Sequence, residues 1–164
     1  MSKQEEAASQ PAWKTSQRFQ RIKTFDVKGK PEEVFPLLCP VREYEWIPGW
    51  SCLMRYSESG VAEKNAVFET TEMMHRKVLW TTVTYEPDRF IEYLLIMGRD
   101  ALVRLSITLA EDTPGMTQVT WCMLFTVMSR LASRLVPDAF SEANFQAMME
   151  KRQGELNRFL APEG

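Results

Sequence analysis

The sequence has few of the side chains that build metal centres and disulfide frameworks. Its 164 residues include a single histidine, His75, and only three cysteines, Cys39, Cys52 and Cys122. One imidazole cannot supply an iron site made of two histidines and one carboxylate. The spacing of Cys39 and Cys52 is not a zinc signature, and an odd number of cysteines gives no disulfide-rich pattern. We therefore expect reduced thiols packed in the core, with no metal and no cofactor.

Long apolar runs and an excess of basic charge are also missing. No stretch of about 18 apolar residues is present, and the segment MSKQEEAASQPAWKTSQ is polar and acidic, unlike an export signal. The formal net charge of -2 provides no basic stripe that would attract nucleic acid. We expect a cytoplasmic protein with no nucleic-acid partner and no integral membrane association. The oligomeric state stays open between monomer and dimer.

The composition that is present suits one packed domain. Apolar residues make up 45% of the chain and charged residues 26%, close to the averages of globular proteins. Residues 1–17 are predicted to form a flexible N-terminal arm, in which Trp13 is the single aromatic residue. The ordered domain is predicted for residues 18–162.

Turn signals divide the first four fifths of the domain into strand-like runs. Short connections such as Glu86-Pro87-Asp88 favour antiparallel hairpins over crossovers. The alternation of Val103, Leu105, Ile107 and Leu109 with polar residues indicates a sheet with one face packed inward. The predicted strands are Phe19–Val27, Cys52–Ser57, Ala66–Thr71, Lys77–Tyr85, Phe90–Met97, Ala101–Ala110 and Thr117–Met128.

Helix signals occur after the first strand and at the C-terminus. Pro31 followed by two glutamates predicts a short helix, and the segment with Trp46 and Trp50 predicts a second short helix or turn. The stretch from Ser129 to Leu160 is long enough for a substantial helix, whose main segment is expected to begin afresh at Pro137. Its apolar stripe would cover the sheet.

The motifs TFDVKGKPEEVFPLL and WTTVTYEPDRFIEYLLI, in this order of elements, resemble the START-like superfamily, also called SRPBCC or birch-pollen-allergen-like. Within it the chain is similar to bacterial proteins labelled polyketide cyclase or dehydrase. The resemblance implies an α+β helix-grip fold: a curved seven-stranded antiparallel sheet, two short helices after strand one, and a long C-terminal helix packed across the sheet. It also implies an apolar ligand cavity between the sheet and that helix. The oxygenase branch, which needs two iron-binding histidines, does not fit a chain with His75 alone.

Aromatic and methionine side chains, together with one carboxylate, are the candidate cavity residues. Each of them could instead fill an ordinary core, and alternation leaves the face of the carboxylate undecided. The predicted ligand-cavity residues are Trp46, Trp50, Tyr56, Phe68, Trp80, Glu92, Tyr93, Trp121, Phe125, Phe145, Met148 and Met149.

No catalytic set can be assembled from the sequence. His75 falls at a predicted hairpin tip, where it is either a general base, a polar anchor at a cavity mouth, or a solvated loop residue. The carboxylates Glu43, Glu45, Glu69 and Glu92 would suit acid–base chemistry only if an apolar cavity held them.

Three functions therefore remain open from the sequence. The first is binding or transport of a small hydrophobic molecule, lipid-, polyketide- or aromatic-like. The second is a cyclase or dehydrase acting on a polyketide-like substrate, and the third is a protein-interaction module like the chaperone activators of the superfamily. The shared fold does not select among them.

Overall fold

A computed structural model describes residues 15–72 and 76–162. His75 and Trp13, both considered above, lie outside the described residues. The first strand begins at Gln17, the last residue of the expected N-terminal arm.

Seven strands form one antiparallel sheet in the described part of the chain, in the order β1-β7-β6-β5-β4-β3-β2. Strands β2 to β7 follow one another as a meander, and β1 pairs with β7 at the far edge. This arrangement confirms the predicted antiparallel sheet. The strands are β1 Gln17–Lys28, β2 Cys52–Tyr56, β3 Val67–Glu72, β4 Arg76–Glu86, β5 Phe90–Met97, β6 Ala101–Thr113 and β7 Met116–Val127.

Strict alternation of side chains gives the sheet an inner and an outer face. In β6 the side chains of Val103, Leu105, Ile107 and Leu109 are buried, and the residues between them are more exposed. Register shifts in the β4–β5 and β6–β7 pairings insert extra residues, which bend strands locally. These local bends make the inner face of the sheet curved.

Two short helical segments follow β1. Helix α1, Pro31–Val34, runs directly into a 3-10 helix, Phe35–Leu38, and a further 3-10 turn covers Glu43–Glu45. The carboxylate of Glu33 accepts a hydrogen bond from the backbone N–H of Lys30 at 2.7 Å, which caps the start of α1. Both segments predicted from the sequence are thus present, and they lie against one end of the sheet.

The C-terminal region consists of two helices, α2 Arg130–Ala139 and α3 Glu142–Leu160. The expected restart at Pro137 is wrong, because this proline lies within the last turn of α2. The chain breaks instead at Phe140, and the hydroxyl of Ser141 accepts a hydrogen bond from the backbone N–H of Asn144 at 3.3 Å to cap α3. The break directs the Phe140 side chain against the inner face of the sheet, where its ring contacts Phe125 with centroids 4.6 Å apart.

Helix α3 crosses the sheet with its apolar side inward. Phe145, Met149 and Leu156 are almost completely buried. Glu155 is also buried, and its carboxylate is 2.7 Å from the Arg152 guanidinium. The long C-terminal helix packed across a curved antiparallel sheet is the helix-grip architecture. None of the helices among the described residues is long and apolar enough to cross a membrane.

The loop between β2 and β3 is organised by Glu63. Its carboxylate accepts hydrogen bonds from the hydroxyls of Ser59 and Ser57, at 2.5 and 3.2 Å, and from the backbone N–H groups of Glu58 and Ser59. These donors, the Ser59 hydroxyl foremost, hold the pKa of the Glu63 carboxyl below its usual value.

Replacing Glu63 with glutamine is expected to make the free energy of unfolding fall less steeply as the pH is lowered. A depressed pKa contributes stability that is complete above the unfolded glutamate value of about 4.3 and is lost as the pH falls through the folded value. Urea unfolding at several pH values between about 5 and 3 measures this contribution. Glu58→Gln, which makes the same charge change at an exposed position in the same loop, is the control. Equal pH profiles for the two variants would contradict the prediction.

Candidate ligand cavity

A cavity of about 350 Å³ lies between the sheet and helix α3. Its walls are residues of β3 to β7, residues between 38 and 51, Phe140, and side chains of α3. Cavities that hold small molecules in proteins range from about 300 to 1,000 Å³. The space is therefore large enough for a compact ligand.

The strand register places several cavity-lining side chains next to one another. Ile107 on β6 is directly paired with Trp121 on β7. Two residues further along each strand, Leu105 is paired with Met123. Tyr93 of β5 is paired with Leu105. Because paired residues share a face of the sheet, these five side chains form one continuous surface.

Seven of the twelve residues expected from the sequence line this cavity. They are Trp50, Phe68, Trp80, Tyr93, Trp121, Met148 and Met149. Phe68, Trp80 and Tyr93 also pack against one another, with ring centroids 5.2 to 5.8 Å apart.

Three other aromatic residues from that set are buried but lie away from the cavity. The indole N–H of Trp46 donates to the carbonyl of Leu37 at 2.8 Å, which ties the two short helical segments together. Phe125 and Phe145 are fully enclosed between the sheet and the helices. These three side chains fill the core.

The remaining two residues from that set are on the outside. Tyr56, at the end of the edge strand β2, is 58% exposed. Glu92 is on the outer face of β5, where its carboxylate is 3.4 Å from Arg104 and accepts from the Ser106 hydroxyl at 3.2 Å. Alternation with the buried Ile91 and Tyr93 forces Glu92 outward.

Several lining residues were not among the sequence candidates, notably Leu105, Ile107, Met123, Phe140 and Arg152. The first three follow the same alternation that places Trp121 inward, so the strand pattern contains the signal for them. Phe140 reaches the cavity because the chain breaks between α2 and α3, whereas the sequence pattern predicts that break at Pro137.

Most polar groups of the lining aromatic residues already have partners. Trp50 Nε1 and the Tyr93 hydroxyl donate to backbone carbonyls of the segment 38–40, at 2.7 and 3.0 Å. Trp80 Nε1 donates to the Thr70 hydroxyl at 2.8 Å. The indole N–H of Trp121, in contrast, is buried and has no hydrogen-bond partner among the described residues.

Of the four candidate carboxylates, Glu43 is the one that lines the cavity, and it is buried. Glu45 pairs with Arg42 at 2.7 Å, and Glu69 with Arg55 at 2.8 Å; hydrogen bonds from these arginines lower the pKa of both carboxyls. Both are therefore charged at neutral pH and engaged elsewhere.

Tyr93 is held as a neutral hydrogen-bond donor. Burial raises the pKa of its hydroxyl well above the usual tyrosine value, and the nearby Glu43 and Cys39 raise it further. Tyr93 consequently keeps its proton and donates it to the Leu38 carbonyl. Within residues 15–72 and 76–162 no group of three or more histidine, cysteine, aspartate or glutamate side chains is placed to hold a metal ion.

The family of polyketide cyclases/dehydrases and lipid-transport proteins matches residues 20–159. The chain belongs to this family. Among curated proteins, no sequence matches the chain.

Solved structures share the fold at low sequence identity. Norcoclaurine synthase from Thalictrum flavum, in complex with dopamine and hydroxybenzaldehyde, is 10% identical with a TM-score of 0.66, over 92% of this chain and 93% of that one. The major latex-like protein 151 of Panax ginseng is 9% identical with a TM-score of 0.66, over 88% and 99%. A protein from Mesorhizobium loti is 15% identical with a TM-score of 0.60, over 85% and 98%. At these identities the likeness establishes the helix-grip fold alone, and function has to be argued from the residues of the site.

Proposed function

We propose that this protein binds or transports a small hydrophobic molecule in the cavity between the sheet and α3. The observation that carries the proposal is the cavity itself, about 350 Å³ walled mainly by aromatic, aliphatic and methionine side chains. A small molecule that buries apolar surface against these walls would be bound by the hydrophobic effect.

Two findings about relatives support this function. The family to which the chain belongs includes lipid transport in its description. A solved structure with the same fold contains dopamine and hydroxybenzaldehyde, two small aromatic compounds.

The three cysteines are free thiols, which fits the proposal that the protein works in the reducing cytoplasm.

A cyclase or dehydrase function is the second candidate, because a buried carboxylate forms part of the wall. Glu43 is the one carboxylate among the described residues that line the cavity, and proton transfer needs such a group. The two functions are separated by incubation with a polyketide-like substrate. A turnover that Glu43→Gln abolishes would favour the enzyme, whereas recovery of the unchanged compound would favour the carrier.

Native mass spectrometry of the purified protein tests the proposed binding. We expect a retained small molecule, or one-to-one binding of an added apolar probe such as isopropenylnaphthalene. Denaturing extraction of the same sample should release the compound and restore the mass of the chain alone. A protein that retains nothing and binds no probe at saturating concentration would contradict the proposal.

A further inference from the structure

Helix α2 has an exposed apolar side. Ala132 and Val136, one turn apart, are buried in the core. Leu131 and Leu135, also one turn apart, face solvent and are 48% and 40% exposed. Met128, two residues before the helix, is 44% exposed. Three large apolar side chains are therefore exposed within eight consecutive residues.

Exposed arginines accompany these apolar side chains. Arg130 and Arg134 are one turn apart on α2, and each directly precedes one of the two leucines. Arg99 lies in the turn between β5 and β6, and the backbone N–H of Met128 donates to the carbonyl of the next residue, Asp100, at 2.8 Å. This turn is therefore adjacent to the start of α2. Among the described residues, no carboxylate forms an ion pair with any of these three arginines.

The acidic groups of the same two segments leave the positive charge in excess. Asp100 pairs with Arg76. Asp138 is the one acidic residue of α2, and it lies in the last turn, about 12 Å along the helix axis from Arg130. The net charge of -2 for the whole chain thus conceals a local excess of positive charge. We call this cluster the α2 surface, and it consists of Arg99, Met128, Arg130, Leu131, Arg134 and Leu135.

We infer that the α2 surface docks on a membrane that contains anionic lipids. Its guanidinium groups bind lipid phosphates, while its leucine and methionine side chains enter the boundary between headgroups and acyl chains. The helix has 10 residues and lies on the membrane without crossing it. None of the six residues lines the cavity, so this inference goes beyond the proposed function and does not depend on it.

Other occupants fit the α2 surface less well. A nucleic acid supplies phosphates for the arginines but leaves the row of leucines against a charged backbone. A second copy of the chain in a twofold contact would bring the same arginines face to face. A stable protein–protein interface uses about 20–30 residues on each side, far more than this cluster provides. A lipid surface needs no matching shape and offers both phosphates and apolar volume.

Cosedimentation of the full chain with lipid vesicles tests the inference. We expect binding to vesicles of phosphatidylcholine mixed with phosphatidylglycerol, and much weaker binding to phosphatidylcholine alone. Added salt should weaken the binding, since it screens exposed charges. In the double variant Arg130→Gln/Arg134→Gln the affinity for the mixed vesicles should fall about tenfold to thirtyfold.

Replacing one leucine tests the apolar part of the contact. Leu131→Ser removes about half of a leucine side chain's burial in the lipid, so the affinity for the mixed vesicles should fall about fivefold or more. This loss should persist at high salt, because it does not arise from charge. Circular dichroism verifies that each variant is folded.

Matched controls lie elsewhere on the molecule. Arg89→Gln/Arg158→Gln removes the same two positive charges, but Arg89 in the β4–β5 turn and Arg158 in the last turn of α3 are at the opposite end of the sheet from the start of α2. Leu53→Ser removes a leucine that is 52% exposed on the edge strand β2. Neither control should change the affinity for the mixed vesicles by more than about twofold.

The remaining outcomes each overturn the inference. They are failure of the wild type to bind anionic vesicles, and equal losses in the α2 variants and their controls. A dimer that Leu131→Ser dissociates in sedimentation velocity would assign the surface to a second copy. Binding of a DNA duplex that the arginine variant weakens and Leu131→Ser does not would assign it to nucleic acid. The proposed cavity function stands or falls separately, by its own binding experiment.

Discussion

Replacing Phe125 with alanine is expected to lower the free energy of unfolding by about 3–5 kcal/mol, the usual cost of removing a buried phenylalanine. Phe125 is fully buried on β7, and its ring packs against the rings of Phe19 and Phe140, each at a centroid distance of 4.6 Å. The substitution removes two aromatic contacts and leaves a hole that the sheet cannot close. Urea denaturation followed by circular dichroism measures the change.

Tyr56→Ala is the comparison for this prediction. Tyr56 is an aromatic residue of the same sheet, but it is 58% exposed at the end of an edge strand. Its replacement should change the unfolding free energy by no more than about 0.5 kcal/mol. Similar losses for the two variants would show that Phe125 is not a central packing residue.

Phe125 and Tyr56 also show what the sequence could and could not predict about the cavity. Both belong to the same aromatic set, and composition treats them alike. The inward side of β7 follows from alternation, which separates Phe125 and Trp121 from their exposed neighbours. Alternation cannot tell which inward residues meet the helix and which meet empty space. That distinction depends on where α3 crosses the sheet.

The fold itself was largely predictable because its signals are local. Hairpin turns and period-two alternation identify the strands, and six of the seven begin and end within two residues of the predicted positions. The larger deviation is in β6, which continues to Thr113 through an irregular pairing. Such a bulge exists only in the pairing of β6 with β7, a tertiary contact that a single segment does not reveal.

The position of the helix break illustrates the same limit. Proline removes one backbone donor, and a helix can tolerate this loss in its last turn, where the chain is about to leave the helix. The structure uses Pro137 in that way and ends α2 two residues later. The capping hydroxyl of Ser141 then begins α3, and Phe140 between the helices becomes a wall of the cavity.

The candidate carboxylates differ in whether an arginine pairs with them. Glu45 and Glu69 each have an arginine within 3 Å, so both remain ionised on the outside of the protein. Glu43 follows the 38–40 segment, whose carbonyls hold Trp50 and Tyr93, and it is buried beside the cavity. The short helical region after β1 therefore supplies the carbonyls that hold Trp50 and Tyr93 and, among the described residues, the one carboxylate of the cavity wall.

Filling the cavity with a larger side chain is expected to block binding without unfolding the protein. Leu105 lies on the inner face of β6 and lines the cavity. In Leu105→Trp the added bicyclic ring can enter empty space, so the unfolding free energy should stay the same or rise as the void is filled. A ligand would then compete with the ring for the same volume. We expect its affinity to fall roughly tenfold or more, since forced overpacking costs about 1–3 kcal/mol.

Leu109→Trp on the same strand is the matched control. Leu109 has the same side chain, faces the same way and is equally buried, but it does not line the cavity. There the larger ring meets close-packed atoms, so this variant should lose about 1–3 kcal/mol of stability. Because both variants introduce the same indole, the difference between them isolates the empty space beside Leu105. Equal destabilisation of the two variants, with ligand affinity unchanged in Leu105→Trp, would mean that this space is closed in solution and that any ligand binds elsewhere.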